Sequence, residues 1–104
     1  MVEQIKTTEQ FDTLLKDNSS VVVDFFATWC GPCKMVGPVV EKVSEGMPNV
    51  KFVKVDVDEL GDLAMRYGIM SIPAIFGFKN GQKAAEQVGF APEPVIKALA
   101  EKTL

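Results

Sequence analysis

The run Val21-Val22-Val23-Asp24-Phe25-Phe26-Ala27 constrains this chain more than any other segment. Its residues are β-branched and then aromatic, with one polar position. It lacks the alternation of a half-exposed strand and reads as a central strand covered on both faces. The rest of the chain must supply the cover, and helical patterns flank the run. Residues 8–16 carry Phe11, Leu14 and Leu15 at i, i+3 and i+4, and Thr7 with Gln10 has capping-box spacing. A long helix is predicted after Cys30-Gly31-Pro32-Cys33, with Pro32 in its first turn. Its apolar stripe is Met35, Val36, Val39, Val40, Val43 and Met47, and Pro38 is expected to kink it. Asp58 is predicted to cap a short helix that buries Leu60, Leu63, Ala64 and Tyr67. Residues 92–104 form a last helix with Val95, Ile96 and Leu99 inward. Further strands are predicted at 2–5, 50–57, 74–79 and 84–88, the last two joined at Asn80-Gly81. The order β-α-β-α-β-α-β-β-α implies an α/β fold: a mixed five-stranded sheet, early strands parallel and the last two antiparallel, with helices on both faces.

Composition narrows the chemistry. A chain of 104 residues, 47% apolar, is expected to form one domain spanning 1–104. Net charge is −3 and the basic residues are scattered, which gives no footprint for nucleic acid. No apolar run approaches the ~20 residues of a membrane span. Met1-Val2-Glu3-Gln4 does not open a secretory signal, so a reducing, cytoplasmic setting and a monomer are the expectations. There is no histidine, which removes Ser-His and Cys-His catalysis and the common His-bearing zinc sites. Two cysteines cannot build a disulfide framework.

Those two cysteines, Cys30 and Cys33, carry the chemistry that remains. If the pair opens a helix, its Cα atoms lie roughly 5 Å apart, within disulfide range. Unpaired N–H groups at a helix start favour a thiolate. Cys30, at the strand-to-helix turn, is then the nucleophile, and Cys33 the shielded thiol that resolves the mixed disulfide. A structural bridge over so short a loop would stabilise little. A zinc site would need two more ligands than the chain offers unless a second copy supplied them. The strand before the pair, the helix after it and the Gly31-Pro32 spacer favour redox exchange.

The segment Trp29-Cys30-Gly31-Pro32-Cys33-Lys34-Met35 resembles the active site of the thioredoxin family. Asp24-Phe25, Pro38, Ile72-Pro73, Phe78-Lys79-Asn80-Gly81 and Val88-Gly89 extend the resemblance over essentially the whole chain. Asp58-Glu59-Leu60 is closer to eukaryotic, fungal cytosolic members than to bacterial ones. The resemblance implies a dithiol–disulfide oxidoreductase that binds no cofactor itself. Thioredoxin reductase would recharge it with NADPH, and its substrates would be disulfide proteins such as peroxiredoxins, ribonucleotide reductase and sulfoxide reductases. The absence of a dinucleotide-binding loop agrees with this division of labour.

Several residues have two readings. A carboxylate at Asp24 is either at an exposed strand position or buried at a cost. The resemblance implies the second, beneath Cys33, as the acceptor of the Cys33 proton, with Lys54 on the neighbouring strand as its partner. Lys54 on its own reads more readily as a solvated lysine. Pro73 on its own merely starts a strand. The resemblance implies instead a cis Ile72-Pro73 bond facing the cysteines, with Trp29, Gly31, Pro32, Ile72, Gly89 and Phe90 forming an apolar collar for an extended substrate peptide. Trp29 alone could equally be core.

The chain departs from the family at Phe26 (commonly Trp or Tyr), Ala74 (commonly Thr), Gly77, which should weaken a strand or mark a bulge, and Phe90 (commonly Ala). These departures bear on partner choice and stability. Two other functions fit the same fold: an oxidase or isomerase of an oxidising compartment, and a binding module with incidental thiols. A high reduction potential would mark the first, and full activity of a Cys30→Ser, Cys33→Ser double variant the second.

Overall fold

The computed structural model describes residues 2–104. In chain order the elements are β1 (Glu3–Gln4), α1 (Thr8–Asp17), β2 (Ser20–Phe26), α2 (Gly31–Glu45), β3 (Lys51–Asp56), α3 (Gly61–Arg66), β4 (Ala74–Lys79), β5 (Gln82–Val88) and α4 (Glu93–Glu101). The sheet order is β1-β3-β2-β4-β5. Strands β1, β3 and β2 are parallel, and β4 and β5 each run antiparallel to the preceding neighbour in that order. The apolar run is therefore the middle strand of five.

Period-2 alternation along β2 divides its side chains between two cores. Val21, Val23 and Phe25 face α1 and α3, packing with Phe11, Leu14 and Leu63. Val22 faces α2 and α4, among Val36, Val40, Ile96 and Leu99. Asp24 and Phe26 share the parity of Val22, so the polar position in the run points toward the helix that begins at the cysteines. Lys54 shares the parity of Phe52 on β3 and points the same way.

Local signals explain the boundaries. The Thr7 hydroxyl accepts the Gln10 N–H at 3.0 Å, as expected of a cap, while the Gln10 side chain accepts from Lys6 N instead of Thr7 N. Helix α2 runs unbroken through Pro38. Asn80 and Gly81 both take positive φ, 52° and 79°, the two-residue turn that matches strand twist.

Four expectations change. Asp58 does not cap α3. The carboxylate of Asp56 accepts the N–H groups of Asp58 and Glu59, and α3 starts after Leu60 without a side-chain cap. Met35 and Val95 are exposed, because each apolar stripe is wider than the face its helix turns inward. Strand β5 starts at Gln82, two residues early, and α4 ends at Glu101, three residues short of the chain end.

Gly77 is explained by close approach. A Cβ there would lie 2.9 Å from Thr103 Cγ2 and 3.4 Å from both Leu99 Cδ2 and Leu99 O. Thr103 is buried, and its carbonyl accepts from the Ser20 hydroxyl at 2.7 Å, which fixes the chain end against β2. The register shift between Gly77 and Phe78, which leaves Ala84 unpaired, is the expected bulge. Gly77→Ala is expected to destabilise the fold by about 1–3 kcal/mol through overpacking, as urea unfolding would measure.

Candidate functional site

The centre of the site is the turn from β2 into α2. Cys30 is the N-cap of α2, with extended backbone (φ −87°, ψ 113°), and its sulfur accepts the Cys33 N–H at 3.2 Å. Gly31 and Pro32 fill the first turn, where proline removes no hydrogen bond. The cysteines are joined as a disulfide with Cα atoms 5.3 Å apart. Both are buried, at 4% and 5% exposure, and pack with Ala27, Phe26, Val57 and Ile72. The expected greater shielding of Cys33 is thus absent in the disulfide form. What distinguishes the pair is position: the sulfur of Cys30 accepts an N–H of the first turn, which stabilises negative charge there.

Asp24 is buried, at 4% exposure, and its Oδ1 has no hydrogen-bond partner. Burial pushes its carboxyl up from 3.8 to about 7, against the opposing pull of Lys54. Lys54 lies directly across the β2–β3 ladder from Asp24, with its ammonium 5.6 Å from the centre of the Phe26 ring. Asp24, Lys54, Phe26, Cys33, Lys34 and Gly37 line one pocket of about 360 Å³ that opens to the surface. Of the two cysteines, this pocket meets Cys33. Its walls are mostly apolar, with Asp24, Thr28, Lys34 and Lys54 supplying the polar groups, and it is large enough to hold water.

A second set of residues surrounds the cysteines. The Ile72-Pro73 bond is cis, and Pro73 O accepts the Gly89 N–H at 2.8 Å, which ties the two loops together. Gly89 takes φ 87°, a conformation that glycine adopts without strain. Ile72 packs against the cysteine cluster, while Trp29 and Phe90 are exposed. Trp29 is therefore not core. Its indole N–H donates to Asp58 Oδ2 at 2.8 Å, and Asp58 N–H is held by Asp56 Oδ1 at 2.9 Å. Asp58 is the site residue that sequence reasoning missed, because its local spacing signalled a helix cap and its partner lies 29 positions away.

Among the described residues there is no group of three or more metal-ligating side chains, and no helix is long and apolar enough to cross a membrane.

Comparison with known proteins agrees with the geometry. The thioredoxin family model matches residues 2–102. Thioredoxin-1 of Saccharomyces cerevisiae is 48% identical over 100 residues, covering 96% of this chain and 97% of its own. Bacterial thioredoxins match too, among them that of Mycoplasmoides gallisepticum at 42% identity over 94% of this chain and 98% of its own. The solved thioredoxin of Plasmodium falciparum superposes with a TM-score of 0.91 at 38% identity, covering 97% of this chain and 98% of that one. The buried Cys30–Cys33 pair at the start of α2 and this likeness over nearly the whole chain lead to one conclusion: the chain belongs to the thioredoxin family, dithiol–disulfide oxidoreductases that reduce disulfides in other proteins.

Proposed function

We propose that Cys30 is the attacking thiolate, Cys33 the resolving thiol and Asp24 the acceptor of the Cys33 proton. The Cys30 thiolate attacks one sulfur of a substrate disulfide. The substrate S–S bond breaks, a mixed disulfide forms, and the first substrate sulfur leaves as a thiolate. Cys33 passes its proton to the Asp24 carboxylate and attacks Cys30. The second substrate thiolate leaves, and two electrons have moved from the cysteine pair to the substrate. Lys54 holds Asp24 partly ionised near neutral pH, so that it can accept that proton. The observation that carries this reading is the unpartnered, buried carboxyl of Asp24 in the same pocket as Cys33.

Trp29, Gly31, Pro32, Ile72, Pro73, Gly89 and Phe90 form the docking surface. An extended substrate segment adds to the backbone of Ile72 as a short strand. Phe90 and the tethered Trp29 give this surface exposed aromatic area, which suits apolar segments around a partner's cysteine.

The chain acts as one domain and needs no cofactor of its own. A separate thioredoxin reductase, using NADPH, returns the disulfide to the dithiol in the cytoplasm, and peroxiredoxins are among the partners. Reduction of insulin by the purified protein, with thioredoxin reductase and NADPH, tests this scheme. NADPH consumption that requires all three proteins is expected. Turnover without the reductase, or none with it, would overturn the scheme.

A further inference from the structure

The pocket beside Cys33 has the size and chemistry of a small-molecule site. Its volume of about 360 Å³ falls in the range of ligand pockets. Asp24 closes its inner end, with Oδ1 buried and without a hydrogen-bond partner. Lys54 is half-buried beside Asp24, and Lys34 is exposed nearer the surface. The apolar walls are Phe26, Ala27 and the backbone of Gly37.

Gly37 keeps this space open. It lies one turn after Cys33 on the same face of α2. A Cβ there would meet nothing within 4 Å, in contrast to Gly77, where a neighbour already fills the room. Glycine inside a helix is destabilising relative to alanine. Its missing side chain eases the crowding before Pro38 and leaves the pocket unfilled.

Charge selects the occupant. The charged groups that face the pocket are Asp24 from β2, Lys54 from β3 and Lys34 from α2. Among the described residues neither lysine forms an ion pair, whereas Lys42, Lys51 and Lys83 do. Burial holds Asp24 partly protonated near neutral pH, so the inner end can donate a hydrogen bond. A cation would meet two uncompensated ammonium groups. A wholly apolar molecule would strip water from Lys54 and Asp24 and replace it with nothing. A flat organic anion answers each group. Its carboxylate meets the Lys54 ammonium and the protonated Asp24 carboxyl, and its rings lie against Phe26 and over Gly37.

We propose that this pocket binds a small aromatic carboxylate, and that occupancy slows the attack by Cys33 without slowing the attack by Cys30. The slowing follows because the occupant displaces water from the space between Cys33 and Asp24. That consequence rests on the reading of Asp24 as proton acceptor; the site itself rests on the pocket and its charges.

The probe is 2-naphthoate, titrated into the disulfide form and followed by calorimetry and by amide NMR shifts. A Kd at or below about 1 mM is expected at pH 6, with shifts centred on Phe26, Lys34 and Gly37. Binding is expected to weaken by up to about tenfold at pH 8, where Asp24 has lost its proton. The neutral 2-naphthamide is expected to bind at least about fivefold more weakly than the carboxylate at pH 6. Gly37→Leu, which fills the space, is expected to abolish binding. Lys34→Glu, a surface change, is expected to weaken it about fivefold or more. Equal binding of the amide, a Kd that both substitutions leave unchanged, or shifts centred elsewhere would overturn the site. A second measurement separates the site from its consequence. The reduced protein is mixed with bis(2-hydroxyethyl) disulfide, quenched with acid and weighed. Saturating 2-naphthoate is expected to raise the mixed disulfide on Cys30 by about threefold or more. Binding in this pocket with no such rise would leave the site and overturn the slowing together with the reading of Asp24.

Discussion

Cys30→Ser is expected to reduce protein-disulfide reduction by on the order of 10³-fold or more, because the remaining thiol, Cys33, is not the sulfur that accepts the first-turn N–H. Cys33→Ser is expected to behave differently. It retains the attack by Cys30 but cannot resolve, so it accumulates covalent mixed disulfides with its substrates. Both cysteines are equally buried in the disulfide, so exposure does not assign the roles. The assignment rests on the Cys33 N–H aimed at the Cys30 sulfur, and on the pocket that joins Cys33 to Asp24. Mass spectrometry after mixing each single variant with an oxidised substrate checks it. Trapping by Cys33→Ser alone is expected, and equal trapping by both variants would reverse or abolish the assignment.

Asp24→Asn is expected to stabilise the disulfide form at pH 8 by about 2–4 kcal/mol and to slow exchange by about 10²-fold. The folded-state pKa of Asp24 is raised from 3.8 to about 7. Between those values the folded protein holds a proton that the unfolded chain has released. Stability is fully present below about pH 3.8 and falls as pH rises through 7, by a total of about 4 kcal/mol. Asparagine removes the buried charge and with it this pH dependence. Denaturant unfolding of both proteins at pH 3 and pH 8 reads the difference: little at pH 3, and a clear advantage for the variant at pH 8. A variant less stable than the unaltered protein at pH 8 would show that the Asp24 carboxylate is well satisfied in the fold. The opposite movement of stability and rate is expected of a residue kept for its chemistry.

Much of this arrangement was legible before the fold was known. The apolar run from Val21 to Phe26, interrupted only at Asp24, placed β2 at the centre of the sheet, because alternation disappears only when both faces are covered. The spacing of Cys30 and Cys33 sets their bridge, since a first helical turn carries i and i+3 to disulfide distance. Asp24 was ambiguous for a physical reason. One polar residue in an apolar run is compatible with either face of a strand, and only the parity shared with Val22 and the covering α2 resolve it. Lys54 was ambiguous likewise until the parallel register set it beside Asp24. Asp58 was misread because a hydrogen bond to a distant indole leaves no periodic trace, whereas an acidic residue before an apolar cluster resembles a cap. The pocket beside Cys33 was invisible for the same reason: it is made by the ladder pairing of Asp24 with Lys54 and by the open space at Gly37.

The central claim is that electrons leave this protein through one pair of sulfurs. The reduced protein is mixed with one equivalent of insulin, free thiols are alkylated, and both partners are weighed by mass spectrometry. Cys30 and Cys33 are expected to escape alkylation together, joined as an intramolecular disulfide, while the insulin gains two alkylated thiols for each protein oxidised. Insulin left intact beside two alkylated cysteines at positions 30 and 33 would contradict it.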